Sequence, residues 1–122
     1  MTSILIIDDS LEVRRCMRSL LEQQPNWKVC GEAENGREGV LKAQELKPDI
    51  ILIDLSMPVM NGLEAARELK RLMPNVPLVM WTLAPTTWIE QDAWDAGISL
   101  VCTKLDPGGP LILGIQKLLM AS

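Results

Sequence analysis

The 122-residue chain contains no histidine. A Ser-His-Asp triad, a histidine-ligated zinc site and a phosphohistidine carrier are therefore excluded. Tyrosine and phenylalanine are also missing, so four tryptophans supply every aromatic ring. The three cysteines, Cys16, Cys30 and Cys102, lie far apart with no Cys-x-x-Cys spacing. Such a set reads as buried thiols in a reducing cytoplasm, not as a disulfide frame or a zinc site. No apolar run approaches the ~20 residues of a membrane-spanning helix, and Met1-Thr2-Ser3 lacks the basic segment of a signal peptide. A net charge of −4 argues against direct nucleic-acid binding through phosphates. The expectation is a cytoplasmic protein with no membrane segment.

The chain does have the material for one core. Its length suits a single domain over residues 1–122. Hydrophobic content of 48% against 23% charged residues is globular. Short apolar runs alternate five times with helical patterns. Strands are expected at Ser3–Ile7, Trp27–Ala33, Ile50–Ile53, Val76–Trp81 and Leu100–Thr103. Ser10 is a plausible N-cap for a helix to about Gln24, with Val13, Met17, Leu20 and Leu21 at helical spacing. Asn35-Gly36 opens a second helix carrying Val40, Leu41 and Ala43, which closes near Lys47-Pro48. Asn61-Gly62 opens a third, whose inward stripe is Leu63, Ala66, Leu69, Leu72 and Met73. A fourth runs from Thr87 to Ala96 around Ile89-Ala93-Ala96, and a fifth from Pro110 to about Met120 around Leu111, Ile115, Leu118 and Leu119.

Ile50–Ile53 is apolar on both faces, as in a strand covered by helices on each side. Five strands alternating with five helices predict an α/β fold: a single doubly wound, five-stranded parallel sheet, (βα)5, with helices on both faces. Right-handed crossovers leave few topologies, of which the flavodoxin-like strand order 2-1-3-4-5 is preferred. Strands 1 and 3 are then neighbours at the switch point, where open α/β sheets bind ligands.

Polar residues follow four of the runs. Asp8 and Asp9 end the first, Asp54 the third, Thr82 the fourth and Lys104 the fifth. Each has a bland reading alone: a helix cap, a strand-end threonine, a surface lysine. Together they differ, because three adjacent carboxylates repel unless something positive neutralises them. Mg2+ fits, since it takes hard oxygens from a few carboxylates and keeps several waters. A phosphoryl group entering there would meet metal, ammonium and hydroxyl, which suits phosphoryl transfer. The loop Asp8-Asp9-Ser10-Leu11-Glu12 has no glycine, which separates it from dinucleotide-binding and P-loop proteins.

Asp8-Asp9, the stretch Asp54-Leu55-Ser56-Met57-Pro58-Val59-Met60-Asn61-Gly62, Thr82 and Lys104 resemble the receiver (response regulator) domain of bacterial two-component systems. The similarity in spacing runs from about Ser3 to Leu119, and Gly31-Glu32-Ala33-Glu34-Asn35-Gly36 is similar to receivers fused to helix-turn-helix outputs. The resemblance implies that Asp54 accepts a phosphoryl group from the histidine of a sensor kinase or phosphotransfer protein. It implies that Asp9 ligates Mg2+ directly and Asp8 through water, with the Ser56 backbone carbonyl completing the set. Lys104 would bind one phosphoryl oxygen, and Thr82 would swing inward to another. Met57-Pro58 and Gly62 would shape the loop, glycine permitting backbone geometry that other residues resist. The state would pass to an output domain or partner protein through the face of the fourth helix, fifth strand and fifth helix; a homodimer is among the assemblies this allows.

The chain departs from the family at Val101, usually tyrosine or phenylalanine, and at Leu83, usually small. The first puts the usual hydroxyl-to-ring coupling in question, and the second narrows access for water or phosphodonor. Leu105 replaces a common proline. Trp88 and Trp94 flank the fourth helix's inward stripe. A tryptophan there more often packs over neighbouring helices than serves as a contact surface. The expected function is a phosphorylation-controlled signalling switch that catalyses only its own phosphorylation and dephosphorylation. The alternative is a degenerate receiver acting as a phosphorylation-independent interaction module. An aspartyl phosphatase is disfavoured because Ser56 stands where those enzymes have a second acid.

Overall fold

Short runs of isoleucine, leucine and valine without polar alternation suit strands covered on both faces. The computed structural model, which describes residues 1–57, 59–83, 87–104 and 108–121, shows that arrangement. The strands are β1 (Thr2–Ile7), β2 (Trp27–Ala33), β3 (Ile50–Asp54), β4 (Leu78–Thr82) and β5 (Leu100–Thr103). Between and after them lie α1 (Leu11–Glu22), α2 (Gly36–Leu46), α3 (Gly62–Leu72), α4 (Thr87–Asp95) and α5 (Gly109–Met120). All neighbouring strands pair in parallel, in the order β2-β1-β3-β4-β5, so the expected doubly wound fold is correct.

The period of two divides each strand between two cores. Leu5, Ile7, Ile51, Ile53 and Met80 face α2, α3 and α4, packing with Val40, Ala65, Leu69 and Ala93. Ile4, Ile6, Leu52, Val79 and Trp81 face α1 and α5, packing with Met17, Leu21, Leu111 and Ile115. Each fully buried Leu or Ile contributes about 1.5–3 kcal/mol, which makes the sheet a stiff platform for its edge.

Local chemistry sets the helix starts. Ser10 Oγ accepts from Val13 N–H at 3.2 Å, and Asn35 Oδ1 from Glu38 N–H at 2.8 Å. Asn61 and Glu64 form a reciprocal capping box. Gly62 sits where an added Cβ would come within 2.2 Å of the Asp54 carbonyl. Its role is therefore close approach, not unusual geometry. The left-handed residue of that loop is Val59, at φ 69°, a conformation that a β-branched side chain resists. Pro58 and Leu105, singled out from the sequence, lie outside the described residues.

Several expectations are corrected. β4 starts at Leu78 rather than Val76. Pro77 has no N–H, and its carbonyl accepts from Ile51 N–H at 3.1 Å just outside the strand. Leu41 is 61% exposed because α2 turns Gly36, Gly39, Val40 and Ala43 inward. Cys16 is exposed and Cys30 half-buried; only Cys102 is a buried thiol. Trp88 is 80% and Trp94 51% exposed, so neither ring is packed away as a stripe-edge tryptophan usually is.

Candidate functional site

α1 leaves β1 toward one face of the sheet and α3 leaves β3 toward the other. A crevice opens between these strands at their carboxyl ends, and the strand-end residues project into it. A cavity of about 370 Å³ there is lined by Asp8, Asp9, Ser10, Val13, Asp54, Ser56, Thr82, Leu83 and Lys104. The structure thus gathers Asp8, Asp9, Asp54, Ser56, Thr82 and Lys104 into one place, as the sequence led us to expect.

Asp8 and Asp54 are 2% and 7% exposed, and Thr82 is 7% exposed. Carboxylates so buried must be compensated. Lys104 Nζ lies 2.9 Å from Asp8 Oδ2 and 3.0 Å from Asp54 Oδ1, one ammonium bridging both acids. The other Asp8 oxygen accepts from Ser10 N–H at 2.9 Å, which aims the carboxylate. Arg14 Nη1 donates to the Asp8 carbonyl at 2.6 Å and fixes the backbone of the acidic loop. Burial pushes the Asp54 carboxyl up from its ordinary value, the Asp8 charge adds to this, and Lys104 opposes it. For Lys104, burial works downward, but hydrogen bonds and charge from Asp8 and Asp54 outweigh it and hold the ammonium above its usual range.

One carboxylate oxygen from each of Asp8, Asp9 and Asp54 can be chosen so that all lie within 4.8 Å of one another. Three carboxylates against one ammonium leave two negative charges in excess. Hard oxygen donors at that spacing, with that deficit, suit a small divalent cation.

The family model of the response regulator receiver domain matches residues 4–107. The chain belongs to that family. The protein-glutamate methylesterase/protein-glutamine glutaminase of Alkalilimnicola ehrlichii is 45% identical over 96 residues, 78% of this chain and 25% of that protein. The transcriptional regulatory protein YdfI of Bacillus subtilis is 42% identical over 100 residues, 82% of this chain and 45% of that protein. The chain therefore spans a minor part of these relatives. Among solved structures, a LuxR-family two-component response regulator from Aurantimonas sp. SI85-9A1 matches with a TM-score of 0.94 at 29% identity, over 99% of this chain and 87% of that one. As a receiver, the chain is a regulatory module of a phosphorylation-controlled signalling switch, carrying the acidic pocket such a switch needs. Receivers are phosphorylated by histidine kinases and act on output domains. Among the described residues no helix is long and apolar enough to cross a membrane.

The two departures from the receiver pattern occupy different positions. Leu83 is 61% exposed at the rim of the cavity. Val101 does not line the cavity; it packs, half-buried, against the core under α2, α3 and α4. Two other features had no signal in the sequence alone. Glu32 of β2 binds Arg14 at 3.0 Å and Arg18 at 2.8 Å, so the arginine that holds the Asp8 carbonyl is itself held. Trp81 pairs in register with Asp54, a relation visible only once strand order and register are known.

Proposed function

We propose that Asp54 is the phosphoacceptor of this receiver, which residues 1–122 form as one domain. The observation that carries the reading is the Lys104 ammonium bridging Asp8 and Asp54 at the floor of an acidic cavity. An Asp54 carboxylate oxygen bonds to phosphorus as the phosphorus–nitrogen bond of a kinase phosphohistidine breaks. The imidazole leaves with that electron pair, and an acyl phosphate remains. Asp8, Asp9 and Asp54, with the Ser56 backbone carbonyl, would hold Mg2+, which neutralises charge on the transferring group when bound. Lys104 would exchange one of its carboxylate contacts for a phosphoryl oxygen. Thr82, buried beside it, offers a hydroxyl to another. Leu83 at the rim limits entry of water and of the phosphodonor.

The donor would be a sensor histidine kinase or phosphotransfer protein in the cytoplasm. The state would pass to an output domain or partner protein through the face of α4, β5 and α5; Trp88 and Trp94 of α4 and Leu113 of α5 are exposed. Relatives named as a methylesterase and as transcriptional regulators illustrate the range of outputs such a receiver can drive. The receiver itself would catalyse only its own phosphoryl gain and loss. A module that binds partners without phosphorylation would have no use for two buried carboxylates on one ammonium, which favours the phosphorylated switch.

Intact mass after incubation with acetyl phosphate tests this reading. One added phosphoryl group, requiring Mg2+ and absent in Asp54→Asn, is the expected result. No adduct from acetyl phosphate or a kinase would refute it.

A further inference from the structure

β5 does not neighbour β3; β4 lies between them. The Lys104 side chain must therefore cross β4 to reach Asp54. The residue under that crossing is fixed by register. Asp54 pairs with Trp81, and Trp81 pairs with Cys102, two residues before Lys104. The strand period of two places Cys102 and Lys104 on one face, and Trp81 and Cys102 share the core beneath it.

The side-chain geometry agrees. Lys104 Nζ lies over the Trp81 ring, 5.4 Å from its centroid. The indole N–H donates to the carbonyl of Thr103, the residue before Lys104, at 3.2 Å. Trp81 is 7% exposed and does not line the cavity, so it would act through Lys104 and not on the phosphoryl group. A lysine side chain is long and flexible, and in water its ammonium would sample many positions. An aromatic face beneath it attracts the cation. The Thr103 hydrogen bond anchors the strand end from which the stem departs.

We propose that Trp81 is a positioning residue for phosphoryl transfer to Asp54, holding the Lys104 ammonium across β4 by its ring and by the Thr103 carbonyl. This rests on Asp54 being the phosphoacceptor.

The test is a double-mutant cycle on the rate of labelling by acetyl phosphate with Mg2+, using Trp81→Leu, Lys104→Ala, the double variant and the unaltered chain. With Lys104 present, Trp81→Leu should slow labelling about threefold to tenfold, the range a cation–π contact supports. With Lys104→Ala, the same change should cost less than about twofold. Trp81→Phe, which keeps a ring and loses the N–H, should fall between; it also carries the cycle if Trp81→Leu does not fold. Equal losses in both lysine backgrounds, or none in either, would overturn the proposal. The Lys104 ε-methylene proton shift gives a readout independent of phosphorylation. It should lie upfield in the unaltered chain and move downfield in Trp81→Leu, and an unchanged shift overturns the ring contact. An unaltered chain that takes no phosphoryl group would overturn both the site reading and this inference, whereas labelling with no lysine-dependent coupling overturns only the role of Trp81.

Discussion

Lys104, just past the end of a strand that does not border β3, brings its Nζ within 3.0 Å of Asp54 Oδ1. The ammonium is also shared with Asp8, so one cation placed by one crossing of the sheet serves both buried acids. Removing it leaves two buried carboxylates without their cation.

Lys104→Gln should therefore lower stability by about 2–3 kcal/mol in the absence of divalent cation, the cost of leaving charged partners buried and unpaired. Labelling by acetyl phosphate should slow on the order of a hundredfold, as when one donor to a developing charge is removed. Denaturant unfolding and timed mass measurements read the two effects; a variant as stable and as fast as the parent would contradict the bridge.

Divalent cation should stabilise the fold. Mg2+ at about 100 times its dissociation constant should add about 2.7 kcal/mol by mass action, seen as a higher melting temperature that a chelator reverses. Asp9→Asn should lose most of that gain while melting near the parent without metal, since Asp9 is exposed. A Mg2+ shift that survives in Asp9→Asn would place the cation elsewhere.

Leu83→Ala should open the rim of the cavity. Faster labelling by acetyl phosphate and faster loss of the phosphoryl group are the expected outcomes, each by a few fold, because only access changes. Unchanged rates for both would remove Leu83 from the account.

Glu32 gives the pH dependence. Burial alone would raise its carboxyl, but hydrogen bonds from Arg18 and Arg14 outweigh burial and hold it below its ordinary value of 4.5. An acid with a lowered folded value stabilises the fold above its unfolded value and loses that contribution as pH falls through the folded one. Glu32→Gln should thus be less stable than the parent at neutral pH. The gap should close as pH is taken below 4.5. A gap that is constant with pH would show that the arginines do not act through the charge.

The fold and most of the site were readable because both follow from short-range rules. Short apolar runs alternating with helical patterns indicate a covered parallel sheet, and residues ending such runs emerge at its carboxyl edge, which brought Asp8, Asp54, Thr82 and Lys104 together. Ser10 announced a helix start by its capping chemistry and the Asn35-Gly36 and Asn61-Gly62 pairs by their turn chemistry, although the structure shows both asparagines to be caps as well. What escaped depends on relations between distant segments. The pairing of Trp81 with Asp54 needs the register, and the Glu32 clasp on Arg14 and Arg18 needs β2 packed beside α1. The exposure of Trp88 and Leu41 runs against side-chain hydrophobicity, so composition points the wrong way. Val59, not Gly62, takes the left-handed turn; the glycine is needed for space against the Asp54 carbonyl, and sequence alone does not separate those two needs.

The most direct test of the central claim locates the phosphoryl group. The acetyl phosphate-treated protein is reduced with borohydride, which converts an acyl phosphate to an alcohol, and its peptides are mapped by mass. Homoserine is expected at position 54 alone, and only when Mg2+ was present. Modification at Asp8 or Asp9, or a borohydride-resistant phosphoryl group on Ser56 or Thr82, would contradict it.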